Sequence, residues 1–162
     1  MALDRRTQDI ALGTIEGLLA FGFGSGLAPK APGTAGSVVA LLPALLLVQV
    51  PLINALIFIA IAFLAGIWLC GRVGRRLGEH DHSGIVWDEF VGMWLVLVCI
   101  PFHWGWWLAG FALFRLFDIL KPWPIGWLDR RIHGGLGVML DDLLAAGYAL
   151  AVLGVVAYVI GM

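Results

Sequence analysis

The chain has 162 residues, 61% of them hydrophobic and only 13% charged, at a mean hydropathy of +0.96. A soluble domain carries roughly 25% charged residues, so this composition excludes an ordinary globular protein and points to a single membrane-embedded domain over residues 1–162. The formal net charge of −1 excludes nucleic acid as an expected partner and leaves the lipid bilayer, so the placement of charge is more informative than its sum.

The opening MALDRRTQDIALGTIEG carries charges inside its apolar pattern and no small-residue cleavage site, and so does not read as a removable signal peptide. Over residues 8–21, Ile10, Ala11, Ile15, Leu18 and Leu19 share one helical face while Asp9 and Glu16 interrupt any span, which predicts an N-terminal interfacial helix. Residues 22–37 hold five glycines and two prolines. They predict an irregular loop offering backbone amides and small hydroxyls, with residues 34–37 capping the next helix.

Residues 38–50 are apolar but short, Pro51 breaks them, and residues 52–71 form a run of about twenty, enough to cross a ~30 Å hydrocarbon core. Arg72, Arg75 and Arg76 then leave the membrane, and GEHDHSG leads to a third span with Asp88 and Glu89 near its start. A fourth span over residues 104–119 carries Arg115 and Asp118 near its end, and a fifth is expected over residues 142–160. Before it, residues 125–132 read as a short interfacial helix, with Ile125, Leu128 and Ile132 on one side and Arg130 and Arg131 flanking. The fold class is therefore all-α, a polytopic membrane helical bundle with these two interfacial helices.

Threading the spans up and down puts every Lys and Arg at one end of the bundle, which the positive-inside rule makes cytoplasmic. The carboxylates fall at the same end, so one site can draw on Asp88, Glu89, Asp118, Asp141 and Asp142. An ionisable group in a span costs about 2.5–3.5 kcal/mol on insertion scales, so such a cluster is retained where it is paired, cation-bound or wet. In each adjacent pair, 88/89 and 141/142, the ~100° turn between neighbours predicts one ion-facing carboxylate and one orienting partner. The competing reading is acidic residues at solvated helix N-termini, favoured by the dipole. Arg115 and Asp118 at i, i+3 form either an ordinary helical ion pair or the edge of a wet site. Lys121 holds a phosphate or snorkels.

His80, His82 and His133 lie on the polar side without metal-finger spacing, which suits surface or supporting roles. Trp104, Trp106 and Trp107 fit an outer aromatic belt, and Cys70 and Cys99 fall at opposite ends of their spans, too far apart to bridge. Carboxylates beside basic and hydroxyl groups suit a hard divalent cation, Mg²⁺ above all, which polarises a phosphoryl group while Arg and Lys neutralise its other oxygens. At the membrane surface that chemistry meets a lipid headgroup and predicts a phospholipid phosphomonoester as substrate, which composition alone does not select over other phospholipid chemistry.

At GLAPKAPGTAGS, IVWDEFVGMW, FRLFDILKPWPI and HGGLGVMLDD the chain resembles the phosphatidylglycerophosphatase A family of bacterial membrane phosphatases over nearly its whole length. The resemblance implies Mg²⁺-dependent hydrolysis of phosphatidylglycerophosphate to phosphatidylglycerol and phosphate, by an all-helical, multi-pass protein of the bacterial inner membrane, and the charge placement above turns its site to the cytoplasm. It places Thr34, Ser37, Asp88, Glu89, Arg115, Asp118, Lys121, Asp141 and Asp142 in the site and assigns no role to Lys30. On this reading the five carboxylates hold Mg²⁺ and perform catalysis, and Thr34, Ser37, Arg115 and Lys121 hold phosphate. Attack by water is favoured over a carboxylate nucleophile. A divalent-cation transporter would want its carboxylates near the bilayer midplane, and the DGxxAR signature of a CDP-alcohol phosphotransferase is missing. These are the alternatives from other classes.

Overall fold

The computed structural model describes residues 5–79 and 82–161, and among these the regular structure is all helical, with no strand. In chain order they form α1 (Arg5–Gly13), α2 (Ile15–Ala20), a 3₁₀ turn (Gly22–Leu27), α3 (Pro32–Leu47), α4 (Leu52–Leu77), α5 (Trp87–Val98), α6 (Trp104–Leu120), α7 (Ile125–Asp129) and α8 (Gly135–Val159). α5 is the axis of the bundle: residues 88–97 are buried at every position but Leu95, and α3, α4, α6 and α8 all pack against it.

The neighbours approach α5 through small side chains, Ala40 and Ala44 on α3, Ala62 and Gly66 on α4, and Ala145, Ala146 and Ala149 on α8. In a bilayer, where lipid tails are as apolar as leucine, such close van der Waals packing is what holds helices together. Two indoles add directional ties: Trp94 Nε1 donates to the Ala40 carbonyl at 3.0 Å and Trp87 Nε1 to that of Ala62 at 3.1 Å. The outward faces carry exposed Leu42, Leu46, Ile53, Ile61, Leu64, Leu108 and Val155, a surface fit for lipid rather than water.

Among the described residues only α4, with 26 residues, and α8, with 25, are long and apolar enough to cross a membrane. The expected third span is a 12-residue helix, about 18 Å at 1.5 Å per residue, and so is too short for a straight crossing. Its start is fixed by the bond to Ala62 and by Gly66, whose position meets both Trp87 and Met139. The Arg72 tier lies six residues further along α4, roughly 9 Å higher. α5 thus begins inside the bundle, not at its rim.

Three other expectations are corrected. The N-terminal interfacial helix is two helices, because the Thr14 hydroxyl accepts from the Gly17 amide and caps a new one, leaving Ile15 exposed rather than on the shared apolar face. α3 starts at Pro32, preceded by Ala31 in the left-handed region, so Thr34 and Ser37 lie inside the helix instead of capping it. α8 starts at Gly135, so Asp141 and Asp142 sit well inside it and are buried, which removes the solvated N-terminus reading for that pair. Glu16, which interrupts the N-terminal apolar face, pairs with Arg72 at 2.8 Å and Arg76 at 2.7 Å and so ties α2 to α4. Cys70 and Cys99 are both free.

Candidate active site

α5, α6 and α8 each deliver acidic residues to one cleft of about 280 Å³ at the end of the bundle where α3 begins. Its lining includes Asp88 and Glu89 from the first turn of α5, Arg115 and Asp118 from the end of α6, Lys121 just beyond, and Asp141 and Asp142 from α8. The apolar wall is Ala31, Pro32, Ile85 and Val138. Two glycines set α8 in place: Gly134 adopts φ +76°, and a Cβ on Gly135 would collide with the Ile67 carbonyl of α4. That close approach carries Asp141 and Asp142 to the level of the α5 N-terminus.

One carboxylate oxygen each from Asp88, Glu89 and Asp142 lies within 4.8 Å of the others. The 88/89 pair therefore does not divide as the ~100° spacing predicts, the longer Glu89 side chain making up the angle. The 141/142 pair does divide. Asp142 joins the acidic group, and Asp141 Oδ2 meets Lys121 Nζ at 2.7 Å. Lys121 also meets Asp129 Oδ1 at 3.1 Å. Partial burial works against its charge, but hydrogen bonds and ion pairs with Asp141 and Asp129 outweigh that and raise its pKa above the usual lysine value.

Arg115 is the other cation of the cleft. Its Nη1 lies 2.7 Å from Asp118 Oδ2, 3.5 Å from Glu89 Oε1 and 3.5 Å from the Ser37 hydroxyl. Ser37 is buried and donates to the Gly33 carbonyl at 2.9 Å, one turn back. It sits behind the guanidinium, while Thr34 is half-buried and outside the cleft lining. Gly33, which sequence reasoning missed, is where α3 meets the site: a Cβ there would land on Glu89 Oε1 and within 3.2 Å of both Arg115 Nη atoms. The first amides of α3 therefore border the cleft with the positive end of the helix dipole. The legible signal was Pro32 at N1, which marks a helix start.

Lys30 is exposed and lies outside this cleft. His82 accepts from the Gly84 amide at 3.0 Å and meets the Phe21 ring in a tilted contact. His133 borders a separate cavity with Gly71, Gly74, Arg75 and Glu79, and His80 lies outside the described residues. At the far end, Val48, Val50, Val98, Ile100 and Phe102 line one cavity, so the α3–α4 and α5–α6 connections meet there without a charge.

The cleft lining holds five carboxylates and two cations, an excess of three negative charges in largely buried surroundings. Glu89 Oε2, Asp141 Oδ1 and Asp142 Oδ2 are buried without a hydrogen-bond partner. Uncompensated buried charge and orphaned acceptors are costly. All-oxygen donors of this charge fit a hard divalent cation.

Residues 18–157 match the family described as Phosphatidylglycerophosphatase A. The chain is 46% identical to the Phosphatidylglycerophosphatase A of Escherichia coli K12 over 79% of its own length and 75% of that protein. It is 50% identical to the one from Haemophilus influenzae Rd over 87% and 88%. It is also 40% identical to a Putative phosphatidylinositol-3-phosphatase of Bacteroides thetaiotaomicron over 89% and 94%. No solved structure matches. With an all-helical bundle, two helices fit to cross a membrane and a match over most of its length, the chain belongs to the phosphatidylglycerophosphatase A family of phosphatase enzymes.

Proposed function

We propose that this enzyme hydrolyses phosphatidylglycerophosphate to phosphatidylglycerol and phosphate, with Mg²⁺, at the cytoplasmic face of the inner membrane. The observation that carries this reading is the grouping of Asp88, Glu89 and Asp142, with orphaned oxygens beside them, next to Arg115 and Lys121 in one cleft. Asp88, Glu89 and Asp142 would hold the ion, with Asp118 and Asp141 at its margin. When bound, Mg²⁺ supplies charge neutralisation for the phosphoryl oxygens and lowers the pKa of a water.

The chain's own residues supply the rest. Arg115, fixed by Asp118 and Ser37, and Lys121, fixed by Asp129 and Asp141, bracket the phosphate, and the first amides of α3 face the same anion. Asp141 suits the base: Lys121 fixes one oxygen, and the other is buried with no partner. As water oxygen bonds to phosphorus, its proton passes to Asp141 Oδ1 while the bond to the glycerol oxygen breaks. That oxygen takes a proton from solvent at the cleft mouth and leaves as the hydroxyl of phosphatidylglycerol, the phosphate keeps the other proton of the water, and Asp141 returns its proton to solvent.

The cytoplasmic placement rests on charge. Arg72, Arg75, Arg76, Arg115, Lys121, Arg130 and Arg131 all belong to the site end, and the far-end connections carry no Lys or Arg. The test is phosphate release by the purified protein in lipid nanodiscs, from phosphatidylglycerophosphate and from phosphatidylinositol 3-phosphate, with chelator and with restored Mg²⁺. Release from phosphatidylglycerophosphate that is lost with chelator and regained with Mg²⁺ is expected. Release only from the inositol lipid, or release indifferent to chelator, contradicts the proposal.

A further inference from the structure

Lys121 occupies a position that the chain has gone to some length to define. It closes α6 in the left-handed region at φ +43°, and Pro122 behind it forbids further helix. The chain then folds straight back. The Gly126 amide donates to the Lys121 carbonyl at 3.2 Å, and a Cβ on Gly126 would sit 2.8 Å from that oxygen. α7 therefore starts against Lys121, and one turn later its last residue, Asp129, is 3.1 Å from the ammonium. A second tie, from the Tyr148 hydroxyl of α8 to the Trp123 carbonyl at 2.9 Å, holds the segment from the other side.

We infer that Asp129 is a positioning residue, which shares the Lys121 ammonium with Asp141 and so keeps it at the mouth of the cleft where the substrate phosphate arrives. The side chains are graded in exposure: Asp141 7%, Lys121 29%, Asp129 38%. Lys121 is thus suspended between an inner and an outer carboxylate. Without the outer one, the ammonium is drawn inward onto Asp141, already its partner, and away from the mouth of the cleft. An ion pair this exposed contributes little to folding, so the consequence falls on phosphate binding.

This inference rests on the proposed reading of the site as a lipid phosphatase, and the experiment separates the two. Initial rates are measured on phosphatidylglycerophosphate in mixed micelles for the wild type, Asp129→Asn and Asp129→Glu, with inorganic phosphate as competing inhibitor. Asp129→Asn is expected to raise KM and the phosphate inhibition constant together by about tenfold, a loss of ~1.4 kcal/mol of binding, with kcat within about twofold of wild type. Asp129→Glu is expected to recover most of both constants. A role in folding alone would lower the melting temperature and leave these constants unmoved. Wild-type constants in Asp129→Asn, or a loss confined to kcat, overturn the inference while the phosphatase reading stands. A wild type that releases no phosphate from the lipid overturns both.

Discussion

Arg115 shows how one side chain can be read correctly in kind and incompletely in setting. Its i, i+3 partner Asp118 was legible from spacing, and the 2.7 Å ion pair follows. Its contacts with Glu89 and Ser37, from two other helices, were not legible, because they depend on how α3 and α6 meet over α5. The acidic residues stood out in the sequence since charge is scarce and costly in an apolar chain. Gly33 did not, since a glycine reveals its role only through what would strike its missing Cβ. Gly33→Ala suits helix propensity yet pushes on Glu89 and Arg115. It is expected to leave helix content unchanged by circular dichroism and to lower kcat/KM at least about 100-fold, roughly 2.7 kcal/mol. Wild-type kcat/KM in this variant would mean that the α3 N-terminus does not border the working site.

At the scale of elements, the apolar runs told where helices are but not where they begin. α3 starts at Pro32, ahead of the apolar run, and α8 at Gly135, because glycines there permit close approaches, Gly33 to the Glu89 and Arg115 side chains and Gly135 to the Ile67 carbonyl, that a sequence pattern does not encode. α5 was expected as a short third span and is a 12-residue core helix, since its start is dictated by Ala20 and Ala62 through bonds from Val86 and Trp87. That short start sinks Asp88 and Glu89 below the Arg72 tier while the cleft keeps them open to ligand. Glu16 belongs to the same scale, as the clasp between α2 and α4. Its ion pairs are partly exposed, so Glu16→Gln is expected to cost about 0–1 kcal/mol. The melting temperature should fall by no more than a few degrees, with kcat and KM unchanged. A large fall in activity would assign α2 to the site.

For the whole molecule, the sorting of charge was the strongest message of the sequence, and it arises from topology. With α3 to α4 and α5 to α6 joined at an uncharged end, every described Lys and Arg collects with the acidic cleft at the other. Orientation follows as a prediction. In a chain with Cys70 and Cys99 replaced by alanine, Lys30→Cys should resist a membrane-impermeant maleimide applied to spheroplasts and react only after lysis. Phe102→Cys, 70% exposed at the far end, should react at once. The reverse pattern would turn the site to the other face.

The central claim is that buried carboxylates from α5 and α8 hold one divalent ion for phosphate release. Its most direct measurement is phosphate release from phosphatidylglycerophosphate across a Mg²⁺ series, for wild type beside Asp142→Asn. The account predicts a wild type silent in chelator and saturable in Mg²⁺, and a variant reduced at least about 100-fold whose residual rate needs far more Mg²⁺. Full turnover by Asp142→Asn, or a wild type that works in chelator, would contradict it.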